Sequence, residues 1–163
     1  MVRSRGSARW LACCTASIIC VWLAAFPPVS QAQNLVSTSA LSFGTFASTS
    51  GGRITIEPAT GFRSATGSIW LVNQGPASSP ARVTVTHVAN ASYSVLLPID
   101  DAASLSNGGS AMSLRSFTAH PGLSGILGPS GSQTISIGAT MVIGPLPAEG
   151  NYSGSFSVTI QFQ

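Results

Sequence analysis

Apolar and polar side chains alternate in short runs along this chain, and the run at its C-terminal end is the clearest. From Ser155 onward, Phe156, Val158, Ile160 and Phe162 share one parity, while Ser155, Ser157, Thr159, Gln161 and Gln163 share the other. A period of two with β-branched and aromatic residues predicts a β-strand with one buried and one wet face, as in an antiparallel sheet. Gly150-Asn151 supplies the turn before it. Burying a large apolar side chain contributes about 1.5–3 kcal/mol. Four in a row predict a strand at the centre of the core.

The same pattern recurs upstream. Strands are predicted over 41–46, 53–57, 68–72, 82–88, 93–97, 112–117 and 133–143. Ile54 and Ile56 alternate against Arg53, Thr55 and Glu57, and Pro58 stops the run. Asn90 and Ala91 separate 82–88 from 93–97 and suggest a hairpin. Parity slips near Ser116, the mark of a bulge. Ile135, Ile137, Ala139, Met141 and Ile143 keep one parity, and Gly138 among them signals a bulge or close packing. Residues 33–40 are small and polar and read as a flexible arm; 98–109 and 119–131 read as loops. About eight strands with a turn signal roughly every ten residues predict one all-β domain over 41–163, an antiparallel β-sandwich.

The first 32 residues follow a different rule. Arg3, Arg5 and Arg9 precede an apolar run from Trp10 to Phe26, and Ser30-Gln31-Ala32 offers small residues at a cleavage site. This order predicts a secretory signal peptide, removed after Ala32. The leader holds the whole net charge. Beyond it Arg53, Arg63, Arg82 and Arg115 balance Glu57, Asp100, Asp101 and Glu149. No basic patch argues for nucleic acid. Cys13, Cys14 and Cys20 also lie in the leader, so the exported domain has no disulfide and its core alone must supply the stability.

Candidate chemistry is sparse. His87 follows Val83 and Val85 in parity and reads as a strand-edge histidine; His120 precedes Pro121 in a loop. Asp100-Asp101 invites comparison with a calcium loop, without the ligand spacing such a loop repeats. Serine is abundant, but a nucleophile needs a base and an orienting group, and no such set is legible. The sequence predicts no catalytic residue, cofactor or metal.

Ordered motifs carry a further signal. Leu41-Ser-Phe-Gly-Thr-Phe46, Gly52-Arg-Ile-Thr-Ile-Glu-Pro58, Gly61-Phe-Arg-Ser-Ala-Thr-Gly67, Tyr93-Ser-Val-Leu-Leu-Pro98, Ile137-Gly-Ala-Thr-Met141 and Gly150-Asn-Tyr-Ser-Gly-Ser-Phe-Ser-Val-Thr-Ile160 follow one another. The string resembles the bacterial domain-of-unknown-function family 4402. More weakly, it resembles the spore-coat-protein-U-like subunits of archaic chaperone–usher pili, which pair an early Leu-x-Phe-Gly with a final Gly-x-Tyr strand. The resemblance implies an exported structural or surface-assembly protein, with like subunits or a periplasmic chaperone as partners by strand addition. On that reading Leu35, Leu41, Phe43 and Phe46 form either a strand exchanged with a neighbour or the first strand of their own sheet. The strong C-terminal strand favours the second. The alternative is an extracytoplasmic binding module for a glycan or surface partner, using loops that hold Phe62 and Phe117–His120.

Overall fold

The single-parity run predicted over 133–143 is the spine of the molecule. The computed structural model describes residues 34–163; the predicted leader lies outside the described residues. Ten strands follow in chain order: β1 (Asn34–Ser39), β2 (Thr45–Ile56), β3 (Arg63–Val72), β4 (Ala81–Thr86), β5 (Ser92–Leu96), β6 (Ala103–Ser106), β7 (Ala111–His120), β8 (Ser124–Ile126), β9 (Ser132–Ile143) and β10 (Thr159–Phe162). There is no helix among the described residues.

Every pairing is antiparallel. On one side of β9 its first half pairs with β4 and its second half with β2; β7 pairs along the other side. Strand β1 extends this sheet beyond β4, β3 extends it beyond β2, and β6 lies outside β7, which makes seven strands. Strands β10, β5 and β8 form the second sheet in that order. The chain is therefore the all-β sandwich its periodicity predicts.

The core has two neighbouring parts. One gathers Phe43, Ile54, Ile56, Met112, Leu114, Met141 and Ile143; the other gathers Val83, Val85, Tyr93, Val95, Leu127, Ile135 and Ile137. The inward parity of β9 feeds both. Leu41, Phe117 and Phe156 pack against both parts and tie them together.

Several expectations are corrected. Of the piece 41–46 only Thr45 and Phe46 are strand, and they run on into 53–56 without a separating turn. Thr45–Ile56 is one strand with a register shift between Ser48 and Gly52, and Gly51, at φ 83°, takes the sharp bend. The predicted hairpin does not form. β4 and β5 lie in different sheets, and Asn90, at φ 60°, turns the chain from one to the other. Val83 and Val85 thus meet Tyr93 and Val95 across the core rather than side by side. The predicted loops contain the short strands β6 and β8. The segment read as a flexible arm is β1, paired to β4 from Asn34↔Thr86 to Ser39↔Arg82.

Two finer expectations hold. The bulge near Ser116 is a register shift between Arg115 and Thr118, with Ser116 at φ 49°. Gly138 marks a close approach, because a Cβ there would run into the carbonyl oxygen of Ile56 and lie 2.9 Å from Pro58. Gly138→Ala should therefore cost about 1–3 kcal/mol, as overpacking does. Gly144→Ala, with open space around it, should stay within about 0.5 kcal/mol of the parent. Thermal melts of the two variants check this, and equal melting temperatures would contradict the packing.

Candidate functional site

The C-terminal segment leaves one sheet and joins the other. Ser153 bridges to Ser106 of β6, with hydrogen bonds of 2.8 and 3.0 Å between their backbones. Thr159 then begins the ladder with β5, opposite Leu96. Between them, Gly154–Val158 makes no backbone hydrogen bond to any other described residue. The predicted parity survives: Phe156, Val158, Ile160 and Phe162 are half-buried, while Ser155, Ser157, Thr159 and Gln161 are exposed. The predicted central position does not. β10 spans only Thr159–Phe162 and is an outer strand of the small sheet. The large sheet's centre is taken by β9, so the last segment serves as a strap at the margin.

Beside this strap lies an apolar groove of about 440 Å³. Its floor includes Phe43, Ala81, Val83, Leu114 and Ile137, and Phe156 and Val158 form one wall. The opposite wall is β1, which contributes Leu35, Ser37 and Ser39, continued by Leu41. No charged side chain lines it. A second hollow of about 370 Å³ opens on the strap's other side, between Leu96–Pro98 and Ala102-Ala103, and shares Ser155 and Phe156. Phe156 is the strap's anchor. Its ring lies 5.2 Å from that of Phe117.

The chain leading out of that wall into β2 is held by Arg63. The Arg63 guanidinium reaches back from β3 and donates to the carbonyls of Phe43 at 2.9 Å, Thr45 at 3.0 Å and Val72 at 3.1 Å. It fixes the Leu-Ser-Phe-Gly turn from within the chain. Gly44 sits there at φ 69°, and a Cβ on it would be 2.6 Å from Arg63 Nη1. Phe43 is buried, and Phe46 pairs with Leu71 of β3. Within the single chain Leu41 and Phe43 pack in the core and Phe46 lies against β3, while Leu35, 49% exposed, sits at the groove's rim. The signal for Arg63 was its place in the Gly61–Gly67 motif; its reach to three carbonyls is a long-range feature no local pattern carries.

The titratable groups do not converge. Asp101 takes a bidentate contact from Arg115, Nε to Oδ1 at 2.7 Å and Nη2 to Oδ2 at 2.6 Å. The hydrogen bond from Arg115 holds its carboxyl below the ordinary carboxylate range. Asp100 Oδ1 accepts the Ser116 amide at 2.7 Å. Both carboxylates brace the β7 bulge, and a cation there would have to displace Arg115. The His87 ring stacks on Phe162 at 4.2 Å, joining the end of β4's sheet to β10. His120 is exposed at the end of β7. Phe62 is exposed in its loop, whereas Phe117 is turned inward onto Phe156.

Anchoring by Phe156 gives a direct test of the strap. Phe156→Asp removes a ring shared by both core parts and leaves a carboxylate against apolar neighbours. It should cost at least ~2 kcal/mol. Ser157→Asp faces solvent and should change stability by no more than about 0.5 kcal/mol. Denaturant midpoints separate the two, and equal midpoints would contradict the strap's orientation.

Comparison with known proteins agrees with the extent of the domain. A family model described as "Domain of unknown function (DUF4402)" matches residues 34–162, from the first residue of β1 to the last of β10. No curated protein and no solved structure matches the chain. The match spans both walls of the groove and every strand of the sandwich, and the chain belongs to the DUF4402 family.

Proposed function

We propose that this protein is an exported, non-enzymatic structural or surface-assembly subunit of the pilus- or fimbria-like kind, joined to its partners by strand addition. The observation that carries the reading is the strap. Extended backbone with free N–H and C=O groups flanks an uncharged apolar groove. That combination suits an extended polypeptide, whose main chain pairs with the edge while alternate side chains fill the hollow. A small apolar ligand would leave the free backbone groups unused.

The surrounding sequence supports the same reading. Folded proteins commonly protect open strand edges with charges, proline or a covering segment. Residues 150–163 contain no charged residue and no proline. The predicted leader would carry the chain out of the cytoplasm, where like subunits or a periplasmic chaperone could meet this edge. The chemistry of the groove, apolar and uncharged, favours a docking surface over a reaction centre.

The test is recovery of the protein from its source cells. The chain should begin at Gln33, within a residue or two, and elute as multimers by size exclusion with light scattering. Retention of Met1, or a strict monomer across a concentration series, would overturn the reading.

A further inference from the structure

We propose that Asn151 is a glycan attachment site: its carboxamide, in the loop between β9 and the strap, accepts an oligosaccharide from a lipid-pyrophosphate donor outside the cytoplasm. This rests on the export in the reading above and adds a covalent modification to it.

The sequence around Asn151 carries an acceptor signal. Glu149-Gly-Asn-Tyr-Ser153 is an Asn-x-Ser acceptor with an acidic residue two positions ahead of the asparagine. In the extended signal Asp/Glu-x-Asn-x-Ser/Thr, the hydroxyl and the carboxylate each give the transferase a contact, the second one charge-assisted. Only Glu57, Asp100, Asp101 and Glu149 are acidic beyond the predicted leader, so the carboxylate here is not the by-product of an acidic surface. A second Asn-x-Ser, Asn90-Ala91-Ser92, has Val88 in the place of the acid. In the transfer, Asn151 Nδ2 bonds to the sugar C1 as the bond from C1 to the donor's pyrophosphate oxygen breaks. The lipid pyrophosphate leaves with the electron pair, and the carboxamide loses one proton.

The fold separates the two asparagines. Residues 144–152 contain no strand, and of Glu149–Ser153 only Tyr152 is half-buried; the other four are exposed. Gly150, at φ 139°, allows a bend that a side chain would oppose. No hydrogen bond to another described residue engages the Asn151 side chain. Asn107 shows the contrast. Its Oδ1 accepts the Gly109 and Ser110 amides at 3.0 and 2.8 Å, and its Nδ2 donates to the Glu149 carbonyl at 3.3 Å. Ser153 is held by one isolated bridge, to Ser106, and the unpaired Gly154–Val158 follows it. A transferase can draw such a segment into its groove without opening a ladder. Asn90 is placed otherwise. It sits at φ 60°, and Ala91 beside it is buried, with its amide on the Val88 carbonyl at 3.2 Å and its carbonyl on the Leu127 amide at 2.9 Å. Ser92 already begins β5, the middle strand of the small sheet. Reaching Asn90 would mean lifting the end of that strand.

Cleavage at arginine reads both asparagines at once. Cuts after Arg82 and Arg115 leave Asn90 on fragment 83–115 and Asn151 on fragment 116–163, where it is the only asparagine. Two preparations are cleaved and weighed by mass spectrometry. One is protein recovered from its source cells. The other is the full chain produced in bacteria supplied with an oligosaccharyltransferase that reads the acidic position, together with its lipid-linked oligosaccharide. In both, fragment 116–163 should be heavier by one oligosaccharide and fragment 83–115 should keep its bare mass. In the supplied bacteria, Asn151→Gln and Ser153→Ala should lose the added mass and Glu149→Gln most of it. Asn90→Asp, a residue that tolerates the left-handed backbone there, should lose none. A bare 116–163 fragment from source-cell protein that begins at Gln33 overturns the glycan alone. Retention of Met1 overturns export, and the glycan with it. Added mass on 83–115, or its survival in Asn151→Gln, overturns the choice of Asn151.

Discussion

The structure depends on one strand being buried on its inner face and paired on both edges. β9 offers Ile135, Ile137, Ala139, Met141 and Ile143 to the core, all 3% exposed or less, and pairs its backbone with β4, β2 and β7. Because its parity never breaks, its first half can serve one core part beside β4 and its second half the other beside β2. Gly138, midway along it, lets Ile56 and Pro58 come close where β2 gives way to β4. Everything at the margins is arranged around what this strand leaves over. β1 and β3 are outer strands of its sheet, and the C-terminal strap crosses from that sheet to the other.

The strap shows how a buried-face pattern and a marginal position coexist. Phe156 must point inward because both core parts close on it. Its backbone neighbours nevertheless have no ladder, since Ser153 is held by β6 and Thr159 by β5, in different sheets. A chain that changes sheets in so few residues cannot pair with both along the way. The apolar groove and the unpaired backbone are consequences of that crossing, and they are the features the proposed strand addition would use.

What was legible in the sequence was local. Side-chain parity is set by the pleat, so the inward faces of β9, β4, β5 and the C-terminal segment could be read residue by residue. The bulge at Ser116 and the close approach at Gly138 were legible because each breaks a local rule. Which strand lies beside which was not. Val83 and Tyr93 have patterns that fit a hairpin as well as two facing sheets, and only the whole core decides. Phe156 looked central because alternation reports burial, not neighbours. β1 looked like an arm because Asn34–Ser39 carries only two large apolar residues, side by side; its strand state comes from the β4 edge, which no local pattern contains. Part of the candidate site was foreshadowed by motifs: Leu41–Phe46 and Gly61–Gly67 interlock through Arg63, so two separate signatures describe one contact.

The central claim is that the C-terminal strap is unpaired while the spine is paired with β4, β2 and β7. Hydrogen exchange of the folded chain, resolved by residue, tests it most directly, because protection reports hydrogen bonding and local stability together. Amides of Ile135–Ile143 should be among the slowest to exchange, and those of Gly154–Val158 should exchange as fast as those of exposed bends such as Gln74-Gly75. Protection of Gly154–Val158 equal to that of β9 in the monomer would contradict it.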